Sequence, residues 1–311
     1  MSLLLSVILP VFLVIGAGYA SARAGLLEAA HIDGLMRFAQ GIALPCLLFG
    51  GLARMDLGTA FDPALIGTFY SAAGACFVIG MAGARRIFGR PPEDAVAIGF
   101  ATFFSNSLLL GLPITERAFG PDAIAPNLAI IAFHSPFCYL VGITVMEFVR
   151  SGGAGHSVLT VPRQVAGAMA RNPLVLGILL GLAVNVTGLP LPATLREAVD
   201  FIARAGIPAA PFGLGGVLTR YRPEGDGPTI LFIVALSLLL QPALAYGLGT
   251  WVGLDLGPLR SAVVTAAMAP GVNAYLFAAM YGRGMRVAAS AVLLGTALSL
   301  LTGTFWLWLL R

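Results

Sequence analysis

Two stretches decide the fold: Asn106-Ser107-Leu108-Leu109-Leu110-Gly111-Leu112-Pro113 and Ala269-Pro270-Gly271-Val272-Asn273-Ala274-Tyr275. Each interrupts a long apolar run, and they fall in opposite halves of the chain. In lipid every backbone N–H and C=O needs an internal partner, so an interrupted spanning helix has to be compensated. Pro113 removes a donor and clashes with the turn before it, while Gly111 loosens the backbone beside it. This predicts one break at Gly111-Leu112-Pro113 and a matching one at Pro270-Gly271. Each break would expose the carbonyl end of one half-helix, suited to a cation, and the amide end of the next, suited to an anion.

The surrounding composition makes lipid the relevant solvent. The chain has 311 residues, 58% of them hydrophobic and 10% charged, against about 25% charged in a soluble domain. All 18 basic residues are arginine. The absence of lysine excludes a Walker-A motor and a Schiff-base cofactor site. The formal charge of +4 needs no nucleic-acid partner. Cys46, Cys76 and Cys138 all lie in apolar segments and read as small hydrophobes. The apolar segment 3–20 has no basic residue before it and reads as a retained first span rather than a cleaved signal.

Charge clusters and Gly/Pro loops bound ten expected spans, at roughly 3–21, 32–53, 62–84, 95–118, 124–149, 173–189, 195–219, 228–251, 258–281 and 286–310. The longest polar connector, 150–172, divides them into a first five-helix repeat, 1–149, and a second, 173–311. Eleven arginines fall in the odd-numbered loops and five on the opposite side. That bias makes the connector cytoplasmic and puts both termini outside the cytoplasm, in a multi-pass inner (plasma) membrane protein. Phe38, Pro45, Phe49 and Gly50 return as Phe201, Pro208, Phe212 and Gly213, an offset of 163 residues. Phe119-Gly120 and Tyr281-Gly282 follow the two broken spans, four and nine. With five spans per repeat, the second repeat enters the membrane from the other side, so the repeats are inverted.

Spans four and nine are the ones that combine Pro, Gly and Asn within eight residues. Where two such breaks cross near the midplane, Asn106, Ser107, Gly111, Pro113, Pro270, Gly271, Asn273 and Tyr275 form the expected substrate site. Thr102, Ser105, His134 and Gln241 are accessory polar groups. No charged side chain is expected at a helix centre: Glu116 and Glu147 fall near span ends, and Asp200 and Arg204, four apart, are expected to pair. The pairs Gly177/Gly181 and Gly249/Gly253 fit close helix packing, within the chain or in a homodimer. No HExxH, no paired intramembrane aspartates and only His31, His134 and His156 leave little for a membrane-embedded enzyme. A channel would want a continuous polar stripe or charged ring. No cofactor is implied; Na⁺ coupling through carbonyls, Asn and Ser/Thr, proton coupling and uniport stay open, and no metal site is assigned.

At these residues the chain resembles the auxin efflux carrier family, which includes bacterial malonate-transporter-like members. The stretch Asn106 to Ile114 is similar to its fourth-span motif, and Pro270 to Ala278 followed by Tyr281 to its ninth; Arg171-Asn172-Pro173-Leu174 leading to Gly181 also fits. The resemblance implies an all-α membrane protein of ten helices in a five-plus-five inverted repeat, with broken crossover helices four and nine, as in bile-acid sodium symporters. It implies a scaffold from spans one, two, six and seven and a transport domain from the rest. By analogy it implies elevator-like movement and a small organic anion, a carboxylate such as malonate or an auxin-like acid. A sodium-coupled bile-acid-like symporter is the alternative. The short connector is similar to the bacterial branch.

Overall fold

The computed structural model describes residues 2–151, 166–167, 170–222 and 226–311. Most of the expected connector, with Gly152, Gly153, His156 and Arg163, lies outside the described residues. The described residues form helices and no named strand. In chain order these are α1 (Ser2–Arg23), α2 (Ala29–Arg54), α3 (Pro63–Arg86), α4 (Pro92–Phe103), α5 (Leu112–Phe119) and α6 (Ala125–Arg150). They continue as α7 (Pro173–Thr187), α8 (Ala193–Leu218), α9 (Gly227–Trp251), α10 (Leu256–Ala266), α11 (Val272–Tyr281) and α12 (Met285–Leu309). By length and composition α2, α3, α6, α8, α9 and α12 are each sufficient to cross a membrane.

Helix starts follow local chemistry. The Asp62 side chain accepts from Ala64 N–H and Asn172 from Leu174 N–H, each just before a proline at the first helical position. These caps satisfy amides that no preceding turn can reach, and proline there gives up a donor that would be idle anyway.

Three of the intrahelical prolines are absorbed in the same way. Pro45, Pro113 and Pro242 each follow a single π turn, at Ala39–Ala43, Ser107–Gly111 and Leu236–Leu240. In each, the N–H closing the turn reaches back five residues: Leu44 to Ala39, Leu112 to Ser107, Gln241 to Leu236. The wider turn makes room for the proline ring against the preceding turn. Span four is therefore not broken at Gly111-Leu112-Pro113, as the sequence predicted. Helix is continuous there, and the break lies upstream, at Phe104-Ser105-Asn106 between α4 and the π turn. The second break falls where expected, after Ala266 and through Pro270-Gly271.

The chain forms two compact units. Unit 1 contains Met1–Ile8, Asp62–Ala166 and Tyr221–Arg311; unit 2 contains Leu9–Phe61 and Gly167–Arg220. Unit 2 thus holds most of α1 with α2, α7 and α8. Unit 1 holds α3 to α6 and α9 to α12.

Unit 2 is held by close backbone approach and surface polar ties. A side chain at Gly177 would meet the Pro45 carbonyl at 2.5 Å, and one at Gly181 the Phe49 carbonyl at 2.7 Å, so α7 lies directly on α2. Dispersion at short range, rather than water exclusion, holds such pairs in lipid. Asn185 Nδ2 donates to the Leu52 and Met55 carbonyls at 2.8 and 2.6 Å, closing the end of α2. Asp200 does not take Arg204 as its partner. Arg54 binds both its carboxylate oxygens at 2.8 Å, since a two-pronged guanidinium contact outcompetes a single i, i+4 pair. Gly253 is a turn residue at φ +74° rather than part of a packing pair with Gly249.

In unit 1, Thr102 Oγ1 donates to the Cys76 carbonyl at 2.8 Å, tying α4 to α3. Trp306 Nε1 donates to the Leu238 carbonyl at 2.9 Å. That carbonyl lies four residues before Pro242, where the regular helical donor is missing. Every buried polar side chain among the described residues is Ser, Thr, Asn, Gln or His.

Candidate substrate site at the paired breaks

The two breaks meet inside unit 1. Asn106 N–H donates to the Ala269 carbonyl and Gly271 N–H to the Phe104 carbonyl, both at 2.8 Å. Ser105 and Pro270 stand opposite each other as an isolated antiparallel bridge. The bonds flank this pair, so Pro270 occupies a position that needs no N–H. Each break supplies the partners that the other lacks, which is how non-helical backbone persists away from water.

Asn106 carries two roles. Its Oδ1 accepts from Leu109 N–H at 3.3 Å, and its backbone carbonyl from Leu110 and Gly111 N–H at 3.2 and 3.1 Å, starting the second half-helix. Its Nδ2 is buried with no partner among the described residues, as is Ser105 Oγ. An unsatisfied buried donor costs about 1–3 kcal/mol, which a ligand acceptor would relieve. Ser107 is buried, and its N–H donates to the Ser105 carbonyl at 2.9 Å. Gly111 faces the second break: a side chain there would be in van der Waals contact with Met268 at 3.4 Å and the Thr265 backbone at 3.8 Å. Gly120 and Gly282, at φ +92° and +65°, terminate α5 and α11.

Helix α6 reaches both breaks. His134 Nε2 donates to the Ser105 carbonyl at 3.1 Å, which leaves Nδ1 to accept from the Cys138 thiol at 3.8 Å. The Phe69, Tyr70 and Phe104 rings surround the imidazole. Tyr139 OH donates to Asn273 Oδ1 at 3.2 Å, orienting that amide from the side. Phe100 and Phe277, stacked at 3.9 Å, join α4 to α11 beside them.

The expected residues thus divide. Asn106, Ser105, Ser107, Gly111, Pro270, Gly271 and His134 gather at the paired breaks, and Asn273 sits in the first turn of α11. Pro113 is seated in regular helix. Thr102 spends its hydroxyl on α3, and Tyr275 turns to the Tyr221 ring at 5.1 Å. Gln241 does not satisfy a freed carbonyl, because Trp306 takes the one at Leu238; both Gln241 amide atoms are buried without a partner among the described residues. Sequence reasoning missed Tyr139 and Asn127. Asn127 joins Thr115 of α5 to Thr265 of α10. A polar residue within an apolar span was the signal for both. Among the described residues no group of three His, Cys, Asp or Glu is placed to hold a metal ion. In unit 2, a groove of about 400 Å³ lined by Pro45, Cys46, Phe49 and Leu180 contains none of these residues; its apolar lining suits lipid chains.

A family model described as "Membrane transport protein" matches residues 3–307. A Rhizobium meliloti (strain 1021) protein described as "Putative malonate transporter" is 29% identical over 311 residues, covering 98% of this chain and 95% of that one. Auxin efflux carrier component 5 of Arabidopsis thaliana is 25% identical over 229 residues, covering 63% and 65%. A Methanothermobacter thermautotrophicus protein described as "Uncharacterized transporter" is 24% identical over 300 residues, covering 96% of each.

Proposed function

Because the chain belongs to the membrane transport protein family, that of the auxin efflux carriers, we propose that it is a secondary carrier of small organic anions, with carboxylates such as malonate or auxin-like acids as the substrate class. The observation that carries this reading is the mutual hydrogen bonding of the two breaks beside the unpartnered Asn106 Nδ2 and Ser105 Oγ. Two half-helices begin there, and their amide ends favour negative charge. No Asp or Glu is among the buried polar side chains of the described residues, so the buried surroundings of the breaks offer the anion no carboxylate. Asn106 and Asn273 would hold the carboxylate by neutral donors, with His134 and Tyr139 fixing their surroundings.

In this reading the chain is a ten-span inverted repeat in the inner membrane, with odd-numbered loops cytoplasmic by arginine bias. The unit carrying the breaks moves, elevator-like, to give alternating access. The test is flux in liposomes for a panel of mono- and dicarboxylates, with and without Na⁺ and a pH gradient. The expected result is saturable flux of at least one carboxylate, lost in the Asn106→Ala/Asn273→Ala double variant. No flux of any, or flux that survives the double change, overturns the reading.

A further inference from the structure

Beside the breaks, three neutral side chains from three helices converge. Asn127 of α6 places its Nδ2 2.8 Å from Thr265 Oγ1 of α10 and 3.3 Å from Thr115 Oγ1 of α5. All three residues are completely buried. Asn127 Oδ1 has no partner among the described residues. A half-turn of the planar amide exchanges Oδ1 and Nδ2 without moving other atoms. That turn only transfers the deficit, so in either orientation this amide lacks a partner.

With Oδ1 facing the two hydroxyls, it would stand where Nδ2 does, 2.8 Å from Thr265 Oγ1 and 3.3 Å from Thr115 Oγ1. A hard cation of sodium or calcium radius holds its oxygens at about 2.3–2.6 Å, which spaces neighbouring oxygens about 3–3.5 Å apart. The set contains no carboxylate, and divalent sites of this radius normally recruit one or more. Thr265 also lies in the last turn of α10, where helix carbonyls concentrate partial negative charge. Ser261, one turn earlier on the same face, has a buried hydroxyl without a partner among the described residues.

We propose that Thr115, Asn127 and Thr265 form a binding site for a dehydrated sodium-sized monovalent cation beside the paired breaks. The site abuts the break through Gly111, whose Cβ position lies 3.8 Å from both the Thr265 Cα and the Asn106 carbonyl oxygen. An anion at the breaks and a cation here would neutralise each other where little water screens them. The cation site stands on its own residues; its coupling to the anion rests on the carrier reading above.

The test uses the full-length protein in detergent, melted in NaCl, KCl and choline chloride at equal ionic strength. Saturating NaCl should raise the melting temperature by about 3–5 °C over choline. Thr265→Val and Thr115→Val should each weaken sodium binding about tenfold, read as a shift in the half-effect concentration. Thr265→Ser, which keeps the oxygen, should retain it, and this variant controls for packing damage. An equal effect of NaCl and choline, or an unchanged sodium response in both valine variants, overturns the site. Carboxylate affinity with and without sodium is measured separately: a sodium shift with no carboxylate binding keeps the cation site and removes the carrier reading.

Discussion

Asn106 and Asn273 look equivalent in the sequence and are held differently. Asn106 caps its own half-helix through Oδ1, whereas Asn273 is oriented by Tyr139. Asn106→Ala should therefore cost about 1 kcal/mol of stability for the lost cap, as well as about tenfold in carboxylate affinity for the lost donor; melting and binding titrations separate the two. Tyr139→Phe should lower affinity while leaving the melting temperature nearly unchanged, because Asn273 stays in place but its amide is free to turn. Equal affinity in parent and Tyr139→Phe would show that this hydroxyl orients nothing. Away from the membrane interior, the Thr229 hydroxyl and then the Arg90 guanidinium hold the Asp226 carboxyl below its ordinary value. A depressed carboxylate contributes stability above its unfolded pKa and loses it as pH falls through the folded one. Asp226→Asn should thus melt slightly below the parent at pH 7 and converge with it under acid conditions, below about pH 4. At this scale the sequence exposes residue types but not partners: the two asparagines and His134 were legible, while Asn127 became meaningful only once Thr115 and Thr265 were beside it. The misassigned Asp200 makes the same point, since Arg54 is 146 residues away in the chain.

Proline marks the helices that need repair, but it does not say how each is repaired. Pro45, Pro113 and Pro242 are each accommodated by one π turn, and the Leu238 carbonyl before Pro242 is taken by Trp306. Replacing Trp306 by Phe keeps most of the ring and strands that carbonyl, so a loss of about 1–3 kcal/mol is expected by thermal melting in detergent; no change would mean that another group reaches it. Gly177→Val should be far more damaging, since its side chain would collide with the Pro45 carbonyl, a backbone atom that cannot step aside alone. Loss of the monodisperse peak in size-exclusion chromatography is the readout. The helices themselves were legible within a few residues from apolar length and caps, as with α3 and α7. The true break in span four was not, because Phe104-Ser105-Asn106 contains neither glycine nor proline. What makes a gap there tolerable is the bonding to Ala269 and Gly271, which no local pattern reports.

At the scale of the molecule, the seven residues with unpartnered buried polar atoms among the described residues, Thr68, Ser105, Asn106, Asn127, Ser237, Gln241 and Ser261, all belong to unit 1. This concentration of polar need fits the unit proposed to carry cargo. The ten-span topology is tested by His156→Cys and Val186→Cys in a background lacking Cys46, Cys76 and Cys138. The two introduced thiols should react with an impermeant reagent from opposite sides of the membrane, and same-side reaction would break the span count. Both units are assembled from separated stretches of chain, with unit 2 completed at Arg220, before the last part of unit 1 has been synthesised. The bridge at the breaks joins Ser105 to Pro270, 165 positions apart. At about 5–20 residues per second, the ribosome delivers the second break on the order of ten to thirty seconds after the first. Throughout that interval the newborn half-site must be sheltered or hydrated during membrane insertion. Biogenesis of this protein therefore includes a waiting period that ends when Ala269 and Gly271 arrive.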